Sequence, residues 1–222
     1  MPPSRRVVVV SPHLDDAVLS LGAAMARWAR EGARVELLTV LACDPESAAP
    51  AGGWDARAGF ATEGESAKER REEDLRACGH LGAMPRWLPF GSVDYDRHGI
   101  DDEVREAVVE VVGGADEALL PGFPLSHPDH DWLVRVLAGR DLGAARLAHY
   151  AEPLYVRRQG TGPPPRSYDR VGASPRDRLA KWRAVREYRS QLPLLGLTRN
   201  LTHGPLALAI GREAVARSGD LG

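Results

Sequence analysis

Cysteine is scarce. Cys43 and Cys78 are the only two in 222 residues, and their spacing fits neither a zinc knuckle nor a redox pair. Two thiols also make a poor disulfide framework for a chain of this length, so both are expected free, as in a reducing cytoplasm. Lysine is equally rare, occurring only at Lys68 and Lys181. Arginine supplies the remaining positive charge, a bias of GC-rich coding sequence more than of phosphate recognition. Net charge is small: 29 Lys plus Arg against 31 Asp plus Glu, a formal −2. So balanced a chain offers no electrostatic footprint for nucleic acid or an anionic membrane. Long apolar runs are missing too, since none approaches the ~18 residues of a membrane span. The run Val7 to Val10 is too short for a signal-peptide core and leads straight into charged residues.

The hydrophobic content of 43% is enough to bury one sizeable core, and a single domain over residues 1–222 is expected. Short apolar runs alternate with helical patterns. Residues 6–10 form a continuous β-branched run suited to a central parallel strand. Val18, Leu21, Met25 and Trp28 then recur at helical spacing, with Gly32 as the stop. Residues 34–41 read as the next strand, completing a β-α-β unit whose crossover should be right-handed. Residues 44–64 read as a long loop, a rim or lid. A charged helix is expected over 65–81 with Leu75, Cys78 and Leu81 inward, and another over 101–112 with Val104, Val108 and Val111 inward. Strands are expected at 87–90, 118–120 and 147–150, and a helix at 131–137. After a Gly/Pro-rich break at 160–165, Ser174 caps a helix starting at Pro175 and reaching about residue 189. Residues 206–210 read as a closing strand. The pattern is α/β with a mostly parallel central sheet.

Two clusters carry chemistry, each following a strand and preceding a helix. The first is Ser11-Pro12-His13-Leu14-Asp15-Asp16 and the second Ser126-His127-Pro128-Asp129-His130. Open α/β sheets bind ligands at the carboxyl ends of their strands, which is where both fall. Catalytic zinc takes three ligands from His and carboxylates and leaves a position open. His13, Asp16 and His130 fit that count, and bound zinc would acidify a water and polarise a carbonyl. Asp15 is beside a ligand without being needed as one, which makes it the candidate general base. His127 is the candidate for stabilising an oxyanion or protonating a leaving amine. Asp129 is placed to orient His127 or a ligand imidazole.

These motifs resemble the two signatures of the LmbE-like, or PIG-L, family of zinc-dependent de-N-acetylases. The charged helix with Arg70 and Glu73, Tyr150 with Glu152, and the stretch from Lys181 through Tyr188, Ser190 and Gln191 fit the same resemblance. It covers most of the chain. Two departures stand at Leu14 and Ala17, where the family usually carries Pro and Glu. The resemblance implies a Rossmann-like three-layer sandwich, one zinc ion per chain and hydrolysis of an acetamide on an N-acetylated amino sugar or glycoconjugate. Secondary-metabolite or thiol-cofactor biosynthesis is a setting consistent with the GC-rich bias. By the resemblance His13, Asp16 and His130 are ligands, Asp15 is the base, His127 stabilises the oxyanion or acts as acid, and Arg70 and Asp94 hold substrate hydroxyls.

Simpler readings exist for several positions. Arg70 lies in a crowded charged helix where a solvated Arg is the ordinary expectation, and Asp94 and Asp96 flank Tyr95 in a turn-like stretch. Trp54 suits a sugar-stacking wall and Trp87 the core. His80, His98, His149 and His203 have no companion cluster, with His203 the one worth locating relative to a pocket. Two rival functions remain: a non-heme iron enzyme, since two His and a carboxylate also form a facial triad, and a non-catalytic sugar-binding protein. Alternation of strands with helices argues against the jelly-roll sheet usual for the first, and a spare carboxylate beside the metal argues against the second. A homo-oligomer is neither required nor excluded by the sequence.

Overall fold

A computed structural model describes residues 4–95, 98–198 and 204–217. Strand β1 (Arg6–Ser11) leads into helix α1 (Asp16–Arg30) and then strand β2 (Arg34–Thr39). Helices α2 (Gly53–Ala58) and α3 (Glu63–Leu81) precede strand β3 (Met84–Trp87). Helix α4 (Asp101–Val112), strand β4 (Glu117–Pro121), helix α5 (Pro128–Leu137) and strand β5 (Leu147–Tyr150) follow. The last third holds helix α6 (Pro153–Gln159), strand β6 (Asp169–Val171), helix α7 (Pro175–Val185), helix α8 (Pro205–Ile210) and strand β7 (Glu213–Arg217).

The strands make one seven-stranded sheet in the order β3-β2-β1-β4-β5-β7-β6. The first five in that order are mutually parallel, and β7 runs antiparallel to β5 and β6. Val7 to Val10 are fully buried, as a strand covered on both faces requires. Val7 and Val9 join the core under α1, α3 and α7, while Val8 and Val10 join the core under α4 and α5. This alternation of β1 side chains between two cores is the three-layer sandwich expected from the sequence. After β1 the chain builds outward through β2 and β3, and from β4 it builds in the other direction. The carboxyl ends of β1 and β4 therefore flank a topological switch point, where such sheets leave a crevice.

Several expected boundaries and faces change. Residues 206–210 are helix α8, and the closing strand lies at β7 instead. A five-residue apolar run does not distinguish helix from strand by period; Pro205 at the first helical position and two Ala in the run decide for helix. The expected strand at 87–90 is β3, three residues earlier, and the helix from Pro175 stops at Val185. The expected loop at 44–64 contains α2. Leu75 is exposed, because α3 turns Arg70, Glu73 and Asp74 inward along with Ala77, Cys78 and Leu81. Val112, not Val111, is the fully buried residue of α4 beside Val104 and Val108. Both cysteines are free and buried. No described helix is long and apolar enough to cross a membrane. Asp96 and His203 lie outside the described residues.

Behind α1, Lys181 of α7 is fully buried and its Nζ lies 2.6 Å from Glu213 Oε1 of β7. The same carboxylate accepts the N–H groups of Ala23 and Ala24 in α1 at 3.0 and 2.7 Å. The pair thus joins two helices to an antiparallel strand. Removing one partner strands a buried charge, so Lys181→Met should cost about 3–5 kcal/mol. A denaturant titration reads this as a lower midpoint with unchanged slope.

Candidate active site

The turn after β1 is fixed by short-range bonds. Ser11 Oγ donates to the His13 carbonyl at 2.6 Å and accepts the Ala17 N–H at 3.0 Å, while the Asp15 N–H donates to the same carbonyl at 3.0 Å. Tyr150 of β5 donates to the Val10 carbonyl at 3.0 Å, bracing the strand end. This turn aims His13, Asp15 and Asp16 at the switch point. From the other side, His127 caps α5, its Nδ1 accepting the Asp129 N–H at 3.2 Å. Helix α5 begins at Pro128, three residues before the expected start, and so places Asp129 and His130 in its first turn.

The two clusters meet. Asp16 Oδ2 lies 2.9 Å from His13 Nδ1 and 3.0 Å from His130 Nε2. Tetrahedral bonds of ~2.0–2.2 Å to one zinc would set neighbouring ligand atoms about 3.3–3.6 Å apart, so the cluster need open by only a few tenths of an ångström to admit it. Each imidazole is held from behind by a carboxylate. His13 Nε2 lies 2.9 Å from Asp129 Oδ2, and Asp129 Oδ1 accepts the Val93 N–H at 3.1 Å. Asp129 therefore orients His13 rather than His127, from whose Nδ1 its Oδ2 is 3.9 Å. His130 Nδ1 lies 2.6 Å from Glu152 Oε1, just beyond β5.

That last contact lacks directed hydrogen-bond geometry: both His130 nitrogens and both Glu152 oxygens are buried without a hydrogen-bond partner. Buried polar atoms left this way fit a bound cation. Among the described residues two donor groups are close enough to share one, His13 with His127 and His130, and Asp16 with His130 and Glu152. Glu152 is 1% exposed and does not line the pocket, which makes it a support for His130. Supporting carboxylates of this kind are worth 10–100-fold in metal affinity, so Glu152→Gln should weaken zinc binding by roughly that factor. Competition against a chromophoric chelator measures it.

Charge sharing is severe in this cluster. Burial opposes the charged form of His13, but its bonds to Asp129 and Asp16 outweigh that and raise its pKa to about 9. Burial likewise opposes the charged form of His130, and the Asp16 and Glu152 charges overcome it and raise its pKa well above 6.5. For Asp16, burial is outweighed by the charge of His130 and the bond to His13, and the carboxyl falls well below 3.8. Without a cation, protons on the two imidazoles balance the carboxylates.

Asp15 is different. Its side chain makes no hydrogen bond to any described residue, although it faces the same pocket. Burial and then the Asp16 charge push its carboxyl up to about 8, moderated by Arg70, His13 and His130. His127 moves the other way: burial, then the charges of His13 and His130, lower it to about 4. A neutral His127 whose Nδ1 accepts from Asp129 carries its hydrogen on Nε2.

These groups border a cavity of about 170 Å³. Arg70, expected from its helix to be solvated, is instead buried in the cavity wall, its Nη1 donating to Asp55 Oδ1 at 3.1 Å and its Nε unpartnered. Asp55 also accepts from Tyr95 Oη at 2.7 Å. Asp94 lines the cavity, and its Oδ2 accepts the Trp54 N–H at 2.8 Å. The Trp54 indole forms part of the wall and donates to Gln191 Oε1 at 2.7 Å. Trp87 is only half-buried, donating to Asp74 Oδ2 at 2.8 Å. His80 pairs with Glu187 and His149 with the Pro121 carbonyl, both away from the cavity, and His98 is exposed. Sequence reasoning missed Asp55 and Tyr155 as cavity residues and gave Glu152 no role. For Tyr155 a signal was present, since Pro153 and Gly160 bound a helix in a stretch to which the sequence pattern assigns no element.

A doubly wound α/β sheet with a His/Asp donor cluster and a free carboxylate at its switch point defines the class: an α/β protein with a candidate catalytic metal centre. The PIG-L family model, described as GlcNAc-PI de-N-acetylase, matches residues 8–138, and the chain belongs to that family. The 2'-N-acetylparomamine deacetylase of Streptomyces fradiae is 35% identical over 142 residues, covering 56% of this chain and 48% of that protein. The 1D-myo-inositol 2-acetamido-2-deoxy-alpha-D-glucopyranoside deacetylase of Streptomyces griseus is 32% identical over 171 residues, covering 69% of this chain and 51% of that protein. The chain thus spans about half the length of these curated relatives. Among solved structures, the A40926 pseudoaglycone deacetylase Dbv21 has a TM-score of 0.74 at 27% identity over 97% of both chains.

Proposed function

We propose that this chain is a zinc-dependent hydrolase that removes the acetyl group from an N-acetylated amino sugar or glycoconjugate, with one zinc held by His13, Asp16 and His130. The observation that carries the reading is Asp15, a cavity-facing carboxylate with no hydrogen bond to any described residue, beside an Asp16 whose Oδ2 lies 2.9 Å from His13 Nδ1 and 3.0 Å from His130 Nε2. Deacetylation of N-acetylated sugars or glycoconjugates by the related proteins supports the substrate class. Bound zinc would supply the positive charge that acidifies a water and polarises the acyl oxygen.

The chain's own residues do the rest. Asp15 takes a proton from the attacking water as its oxygen bonds to the acyl carbon. His127, neutral and carrying its hydrogen on Nε2, donates to the acyl oxygen as negative charge develops there. The C–N bond then breaks, the proton on Asp15 passes to the departing nitrogen, and the amine leaves with acetic acid, whose remaining proton is lost to solvent or to the amine. With its pKa lowered to about 4, His127 is a poor acid at neutral pH, so Asp15 is assigned both transfers. The Arg70 guanidinium and the Asp94 carboxylate, both in the cavity wall, hold sugar hydroxyls, with Trp54 as a wall beside them.

A panel of N-acetylated amino sugars and simple N-alkylacetamides, assayed for free amine, tests the reading. Release from the sugars well above the alkylamides is expected. Release from neither by zinc-loaded protein would overturn it.

A further inference from the structure

Tyr155 has no part in the steps above, yet it borders the same cavity as Asp15 and His127. It lies in the first turn of α6, where its N–H donates to the Glu152 carbonyl at 3.1 Å. Glu152 is the carboxylate behind His130, so one short segment fixes both the support of His130 and the position of the phenol. The Tyr155 ring meets the His130 imidazole edge to face, with centroids 4.9 Å apart at 76°. It also stands 6.0 Å from the His127 ring at 65°. Three rings thus pack together, with His127 and His130 themselves 4.9 Å apart.

The hydroxyl is the informative part. Tyr155 is half-buried in the cavity wall, where a Tyr usually finds a hydrogen-bond partner for its O–H. Tyr168 Oη accepts the Phe123 N–H at 2.9 Å, and Tyr95, Tyr150 and Tyr188 each donate to a carboxylate or carbonyl. Tyr155 Oη makes no hydrogen bond to any described residue. A phenol is protonated at neutral pH, and burial pushes the pKa of this one further up, so the group is a donor with no acceptor among the described residues, beside the imidazole already assigned to the acyl oxygen.

We infer that Tyr155 Oη donates a second hydrogen bond, alongside His127 Nε2, to the acyl oxygen as it becomes an oxyanion. The inference rests on the deacetylase reading. It makes Tyr155 a catalytic residue, one that binds the tetrahedral state more tightly than the planar amide.

Tyr155→Phe tests it, because Phe keeps the ring packed against His130 and removes only the hydroxyl. Loss of one oxyanion donor lowers kcat by about 10²–10³-fold in comparable sites, and a fall of that order is expected here, with KM and zinc content unchanged. Affinity for a methylphosphonamidate of the sugar amine, a tetrahedral anionic mimic, should fall in parallel, while affinity for the amine product stays constant. Unchanged kcat with unchanged mimic affinity overturns the inference. So does a change confined to KM, which would place the hydroxyl on the sugar, or a loss of zinc, which would make the residue a support for His130. A zinc-loaded wild type inactive on every N-acetylated sugar overturns the deacetylase reading itself and this inference with it.

Discussion

Asp15→Asn should lower kcat by about 10²–10⁴-fold, the range for removing a general base, while zinc content stays at that of the wild type. Asn matches Asp in size and cannot take a proton. Because the Asp15 side chain makes no hydrogen bond to any described residue, the exchange breaks no structural contact. It also removes a buried carboxyl that sits beside the Asp16 charge and is raised to about 8 in consequence, so the variant should fold at least as stably as wild type. The sign of the pH dependence follows. Catalysis needs the ionised base, so kcat/KM rises with pH through the Asp15 pKa. A cation at Asp16 offsets part of the charge that raises this pKa, which puts the acidic limb below 8. In the Asn variant that limb should disappear. An isothermal amine-release assay across pH, with zinc measured on the same samples, gives both results.

His13→Ala should abolish zinc retention and, with it, amine release. The expected loss exceeds the 10–100-fold attached to a supporting carboxylate, because a ligand itself is removed and Asp129 is left behind without the imidazole it holds at 2.9 Å. His13 is chosen over His130 because His130 is fully buried between Asp16 and Glu152, where truncation would leave two carboxylates facing each other. Zinc retained after dialysis, measured by atomic absorption, separates the variant from wild type. Retention of one equivalent by the variant would exclude His13 as a ligand.

The centre of the fold was legible in the sequence because it rests on patterns with a fixed physical meaning. Val7 to Val10 could be read as a doubly covered strand, and all four are fully buried. Each chemical cluster follows a strand, and the β1–β4 pairing brings the two together at the switch point. The last third was less legible. The run 206–210 is too short for its period to separate helix from strand, and β6 has three residues with none fully buried. In α3 the pattern misled because two acids and an Arg on its inner face are satisfied by partners far away in sequence. Asp74 accepts from Tyr188 and Trp87, Glu73 from Ser190, and Arg70 donates to Asp55. No local pattern encodes such pairings, which also explains why Arg70 looked like a surface residue and why Asp55 passed unnoticed. The two acids after β1 were expected to differ, and the structure places Asp16 between His13 and His130 while Asp15 lines the cavity. What adjacency could not give was the role of Asp129, which depends on a contact between residues 116 positions apart.

The most direct test of the account is a zinc titration of metal-stripped protein, with amine release from an N-acetylated amino sugar followed at each addition. The account predicts no release without metal and a rise that saturates at one zinc per chain. Full activity in the stripped protein, or activity that ferrous iron and oxygen restore and zinc does not, would contradict it.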